Sequence, residues 1–214
     1  MVHEHLLDFS YAPVVHAGDL PEGLDAMPPF NDVEITETTV SYRRAMPDLP
    51  LAGWQADGTG LDPASTYQHS ESGTFVSPAV HRQYWIIEAP DGRVYTTTRT
   101  HGITPETENS THVFMQSSRN YALDDDRVSE RLRAFLAGVS QRDTEVLEMA
   151  SEHSGYDGWR SGVEFQADAA AIRARRIVGV MLAKESGRAP IRPGLAPNSR
   201  SGALSPSGSP LRGS

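Results

Sequence analysis

Asp8, Tyr11 and His16 fall within one short segment, LLDFSYAPVVH at 6–16, among Leu6, Leu7, Val14 and Val15. An acid, a phenol and an imidazole at this spacing could form a metal-binding arm, with oxygen and nitrogen donors beside an apolar wall. Asp8 is near enough in sequence to orient the His16 ring. The alternative for His16 is a satisfied core histidine. A second candidate lies far along the chain. Leu132, Leu136, Val139, Leu147 and Ala150 recur on one helix face, and Asp143 completes the series. A carboxylate on a buried stripe is costly unless paired, and a bound cation is one such partner. Alternatively the helix breaks, and Ser140 or Asp143 caps a second one. Spacing alone leaves both open.

The remaining histidines are weaker candidates. His101, between Thr100 and Gly102 at a strand end, could face an interior cavity or be an exposed strand polar. His112 belongs on the partner strand of the same hairpin and reads as solvent-facing. His3 and His5 could bind a metal from a helix, although residues near a terminus are usually solvated.

The chain has 214 residues and no cysteine. Thiolate zinc sites, cysteine nucleophiles, disulfides and cysteine-ligated iron–sulfur clusters are thereby excluded. Any metal must be held by the eight histidines and the carboxylates. There is no GxSxG elbow, phosphate loop or dinucleotide fingerprint. The net charge of −9, with no block of Lys and Arg, argues against nucleic acid and anionic membrane as partners. No apolar run has the length of a spanning helix, and His3, Glu4, His5 and Asp8 interrupt any signal peptide, so a cytoplasmic protein is expected.

The elements that must position these residues follow from pattern. Residues 2–10 read as a short helix stopped by Pro13. Residues 33–44 alternate apolar and polar and read as one strand. The Pro-, Gly- and Asp-rich segment 45–73 reads as an irregular rim or lid. Strands resume in TFVSPAVHRQYWIIEA, turn at APDG (89–92), and continue as RVYTTTRTHGI and THVFMQSSRNY around the turn TPETENS. A long helical region starts at ALDDD, with Asp124 or Asp125 as N-cap. A last helix, DAAAIRARRIVGVMLAKE, has Asp168 as N-cap and Ala174, Ile177, Val178 and Met181 on one face. Strands followed by long helices predict an α+β domain over 1–185, with helices on one face of an antiparallel sheet. Residues 186–214 are rich in Ser, Gly, Pro and Arg and read as a disordered tail.

THGITPETENSTHVFMQSSRNYALDD, followed by RDTEVLE and the closing DAAAIRARRIV helix, resembles the C-terminal catalytic domain of Rieske non-haem iron oxygenase α-subunits. The similarity is to the vanillate demethylase and dicamba monooxygenase branch, over 2–16 and roughly 95–185. It implies a helix-grip fold, a curved antiparallel sheet around a long C-terminal helix. It also implies a mononuclear Fe(II) centre held by two histidines and one carboxylate, a ligand set that leaves positions open. The family's D-x-x-H-x-x-x-x-H motif reads here as Asp8…Tyr11…His16. The resemblance makes His16 and Asp143 iron ligands and Asp8 the acid that bridges toward a neighbouring subunit. It places His101 on the substrate pocket. Tyr11 stands at the first histidine's position. A phenol is a poor ferrous ligand, since its pKa is near 10 and phenolate prefers ferric iron. His5, about one turn before Asp8, could substitute, although nothing in the sequence demands it.

The family's Rieske cluster, held by two Cys and two His, has no counterpart in this cysteine-free sequence. The implied activity is hydroxylation or O-demethylation of a small aromatic substrate with dioxygen, using electrons from a separate Rieske or reductase donor. The family's head-to-tail rings leave a homotrimer open. The rival expectation is an impaired helix-grip protein that binds a small hydrophobic ligand.

Overall fold

The computed structural model describes residues 2–107, 109–154 and 169–187; the segment read as a tail falls almost wholly outside them, as does Asp168. Six strands form one curved antiparallel sheet in simple sequence order: β1 (Asp32–Ile35), β2 (Thr39–Ala45), β3 (Gln68–Val76), β4 (Val80–Glu88), β5 (Val94–Pro105) and β6 (Thr111–Arg119). Every connection is a hairpin or a longer loop between neighbours, as antiparallel pairing permits. The helices are α1 (Val2–Leu7), α2 (Ala12–Val15), α3 (Gly53–Thr59), α4 (Asp126–Ser154) and α5 (Ala169–Ser186).

Three local expectations are revised. Pro13 does not simply end the first helix. It sits in the first turn of α2, where a missing N–H costs nothing. The segment 33–44 is two strands, not one. Thr36 Oγ1 accepts from the N–H groups of Thr38 and Thr39, and the chain reverses there. The irregular stretch 45–73 contains α3, whose Gln55 Oε1 accepts from Ala52 N at 2.9 Å, and then the start of β3. Other expectations hold. The APDG turn is closed by Gly92 N to Ala89 O, with Gly92 at φ +83°. The TPETENS segment joins β5 to β6, with Thr104 opposite His112.

β4 and β5 show strict alternation of buried and less buried residues, so one sheet face is covered. α5 closes one end of that face. Ala170, Ala171, Ala174 and Ile177 pack on Leu7, Val40, Tyr42 and Phe75, with Val178 and Met181 beside them. Tyr42 passes so close to β3 that a Cβ at position 73 would collide with its ring, so glycine is required there. Leu132, Leu136 and Val139 of α4 are buried as the periodicity predicts. Beyond Asp143 the stripe opens: Leu147 is half-buried and Ala150 exposed.

The covered face also carries charge. Glu71 is 0% exposed and lies 2.9 Å from Arg44 Nε, although that N–H does not point along the contact. Gln83 Nε2 donates to the other Glu71 oxygen at 2.6 Å. Burial pushes the Glu71 carboxyl up, and Arg44 and Gln83 oppose that.

Candidate functional site

α4 runs unbroken through position 143, so Asp143 caps no second helix. Its N-terminus is capped by Asp125, whose Oδ1 accepts from Arg127 N at 2.9 Å. Asp143 therefore stays on the stripe it shares with Leu132, Leu136 and Val139, and the N-terminal arm supplies its partners. His5 Nε2 lies 3.0 Å from Asp143 Oδ1, His16 Nε2 lies 2.9 Å from it, and Tyr11 OH donates to it at 3.2 Å. Three residues of the arm thus converge on one oxygen of a residue more than 120 positions away.

Each arm residue has a local reason for its place. α1 carries His5 and buries Leu6 and Leu7. Phe9 and Ala12 anchor the next turn against Leu24, Met46, Leu49 and Trp85. Tyr11 precedes α2, and His16 follows it, with His16 N bonded to Ala12 O. The His5 and Tyr11 rings stack at 4.0 Å. His16 is 3% exposed.

Burial alone would raise the Asp143 pKa, but hydrogen bonds from His16 and His5 outweigh it and hold the carboxyl well below the usual range. An ionised carboxylate only accepts, so His5 and His16 both present Nε2–H to it. His16 Nδ1 then accepts from Arg142 Nε at 3.5 Å, and Arg142 forms a close ion pair with Asp19. Burial pushes the Tyr11 phenol far up, and the Asp143 charge adds to this, so Tyr11 remains a neutral donor.

Asp8 does not orient His16. Its Oδ1 accepts from Ser10 N at 3.0 Å, and the acid near the ring is Asp19, 3.6 Å from His16 Nδ1. Sequence spacing gave no signal for Asp19 because the 3-10 turn at Ala17–Asp19 brings it back under His16. His101 lies mid-strand rather than at a strand end and faces the covered side, where burial pushes its imidazole down to about 4. His112 is exposed beside Glu106.

The donor set suits a hard or borderline metal. Bonds of about 2.1 Å at right angles place neighbouring donor atoms about 3.0 Å apart, close to the His5 and His16 separations from Asp143 Oδ1. Two imidazoles and one carboxylate are the donor types of a facial two-histidine, one-carboxylate centre. Among the described residues, however, no group of three or more His, Asp or Glu is arranged around a common ion position, and the donors here bond to one another.

Two clefts lie along the N-terminal half of α4, and neither is lined by a residue of this cluster. One, of about 290 Å³, separates α3 from α4 at Trp54, Gly58, Tyr121 and Phe135. The other, of about 490 Å³, runs between β6 and α4 along Met115, Ser117, Arg119, Leu132 and Leu136. On α4 the lining of the second cleft ends at Leu136 and Ala137, about two turns before Asp143.

Comparison with known proteins places most of the chain in one family. The model of the vanillate O-demethylase oxygenase C-terminal domain matches residues 1–184. No curated protein matches. Among solved structures, dicamba monooxygenase bound to 3,6-dichlorosalicylic acid superposes with a TM-score of 0.76 at 22% identity, over 87% of this chain and 56% of that one. The dicamba-bound form gives 0.74 at 21% identity, over 87% and 55%. The apo form gives 0.64 at 20% identity, over 87% and 55%. This chain spans little more than half the length of those proteins. Fold and family model agree: the chain belongs to the vanillate O-demethylase oxygenase C-terminal domain family, and is a relative of the Rieske oxygenase catalytic domain.

Proposed function

We propose that this chain is the catalytic portion of a mononuclear iron oxygenase that hydroxylates or O-demethylates a small aromatic substrate, with electrons delivered by a separate protein. The observation that supports it most is the convergence of His5, Tyr11 and His16 on Asp143 Oδ1. Ferrous iron, when bound, would supply the dioxygen chemistry, and the chain would supply donors, orientation and a dry pocket.

His16 and Asp143 would hold the metal. For the third position His5 is the better donor and Tyr11 the poorer one. Burial and the Asp143 charge keep the phenol protonated, whereas imidazole needs only to move its proton from Nε2 to Nδ1. In His16 that relocated proton would face Asp19 Oδ2, which would fix the ring. Tyr11 would keep its hydrogen bond to the carboxylate and stack on His5. His101 would line the substrate side, and Asp8, half-buried, would serve as the acid facing a neighbouring subunit of a ring.

Anaerobic titration with ferrous iron, followed by desalting and metal analysis, tests this. Wild type and Tyr11→Phe should each retain about one iron per chain, whereas His5→Ala and Asp143→Ala should lose it. A phenolate-to-iron absorption band on oxidation, lost in Tyr11→Phe together with the iron, would make Tyr11 the ligand instead of His5. If wild type retains none, the oxygenase reading fails, and the helix-grip fold as a container for a small apolar ligand takes its place.

A further inference from the structure

The sheet has two edges, and they differ. β1 is four residues long and carries Asp32 and Glu34, a short, charged edge of the kind that discourages pairing with a further strand. β6, the other edge, is nine residues long and contains neither Lys nor Pro. Its register with β5 runs uninterrupted from Thr111 opposite Pro105 to Arg119 opposite Thr97. Val113, Phe114 and Met115 stand in a row on it and are 47%, 65% and 38% exposed. Across the strand pair Phe114 meets only Gly102, so no cross-strand side chain shields its ring.

Two hydrogen bonds fix which way the backbone groups of this edge point. Asn120 N donates to Thr96 O, and Glu106 N donates to Ser110 O, so the even-numbered residues of β6 bond to β5. Thr111, Val113, Met115, Ser117 and Arg119 therefore turn their N–H and C=O groups outward, where no further strand lies among the described residues. Odd-numbered side chains share the covered side with His101 and Ile103, and even-numbered ones take the opposite side.

A second copy of β6, laid antiparallel along this edge, opposes odd residues with odd ones. A two-fold axis at Phe114 sets Val113 against the partner's Met115, Thr111 against the partner's Ser117, and Phe114 against the partner's Phe114. The Val113–Met115 and Thr111–Ser117 pairs each exchange two backbone bonds. The phenyl rings meet at a non-bonded position, where cross-strand side chains come closest. No like charges face each other, since His112 meets the partner's Gln116 and Arg119 the partner's Asn109. Moving the axis to Met115 would set Phe114 against Gln116, so the apolar match selects the first register. We propose that β6 is the contact edge of a two-fold dimer of this chain, centred on Phe114. The proposal is independent of the oxygenase reading. The contact is one strand deep, which makes it a small interface and the dimer a weak one.

Sedimentation equilibrium of the chain between about 10 µM and about 1 mM tests this. The wild-type mass should rise toward that of two chains. Phe114→Lys and Phe114→Glu each remove the ring pair and set like charges against each other at the axis, so each alone should weaken association about 10-fold. Mixed in equal amounts they should recover it, because Lys then faces Glu. Met115→Pro deletes an outward N–H and no bond to β5, and should also weaken association. Leu182→Lys, which charges an exposed apolar position on α5, should leave it unchanged. Melting temperatures of the Phe114 variants should stay within a few degrees of wild type, since that ring is exposed.

A wild type that stays monomeric throughout, or that assembles to three chains, overturns the proposal. So does association that both Phe114 variants retain. If the Lys and Glu variants remain monomeric when mixed, position 114 does not face itself, and the two-fold contact is refuted.

Discussion

Acidification should unfold this protein through His81, and the size of the effect can be worked out. His81 is wholly buried on β4 against Phe75 and His101, with Nε2 3.0 Å from the Tyr42 hydroxyl. The titratable groups facing it are His101, with rings 5.8 Å apart, His3 on α1 and the Tyr42 hydroxyl; among the described residues no carboxylate acts on it. Burial, and then the two neighbouring histidines, push its imidazole down from 6.5 to about 3. The unfolded chain therefore binds this proton at higher pH than the folded chain. The stability that depends on neutral His81 is fully present above pH 6.5 and is lost as pH falls toward the folded value. One such group contributes a slope of about 1.4 kcal/mol per pH unit, or about 3 kcal/mol between pH 6.5 and 4.

Carboxylates also titrate in that range, so the readout is a difference. Urea unfolding of wild type and His81→Gln at half-unit steps from pH 7.5 to 4.5 should give curves whose slopes differ by about 1.4 kcal/mol per unit below pH 6. Glutamine keeps a hydrogen-bonding partner for Tyr42 but has no proton to gain. Parallel curves would refute the reasoning, whatever the absolute stability of the variant. Downward curvature in both would assign the acid sensitivity to other groups.

Three further outcomes are expected. Arg44→Met strands Glu71 without its guanidinium and should cost about 3–5 kcal/mol, whereas adding Glu71→Met should recover most of that; equal stabilities for single and double variants in urea melts would contradict it. Gly73→Ala drives a methyl into the Tyr42 ring and should cost about 1–3 kcal/mol by thermal melting, and an unchanged melt would show that the ring moves freely. Asp19→Asn removes the acid behind His16 and should weaken ferrous iron retention about 10- to 100-fold without lowering the melting temperature below wild type by more than a few degrees; undiminished iron affinity would show that Asp19 does not act through the ring.

Much of the architecture can be read from residue order. Alternation in HRQYWIIE and VYTTTRTHGI specifies half-buried strands, and the turn residues at APDG and TPETENS specify where they reverse. The periodicity of Leu132, Leu136 and Val139 specifies the buried side of α4, and with it the anomaly of Asp143. Residue order misleads where local signals are ambiguous. Pro13 can end a helix or begin one, and the Thr-rich stretch at 36–39 can extend a strand or turn it.

The site itself depends on distance. His5 looks like a solvated terminal histidine until α1 docks on the sheet and turns it toward Asp143. Asp19, not Asp8, stands behind His16 because a 3-10 turn folds the chain back by three residues. Arg99 passes as one more polar residue of a strand until its inward position is seen together with its absence from the ion pairs among the described residues. Sequence periodicity fixes which face of an element a side chain occupies, because that depends on neighbours along the chain. Which side chains face each other is decided when helices and sheet pack, because only then do groups more than 120 residues apart share one oxygen and one dielectric.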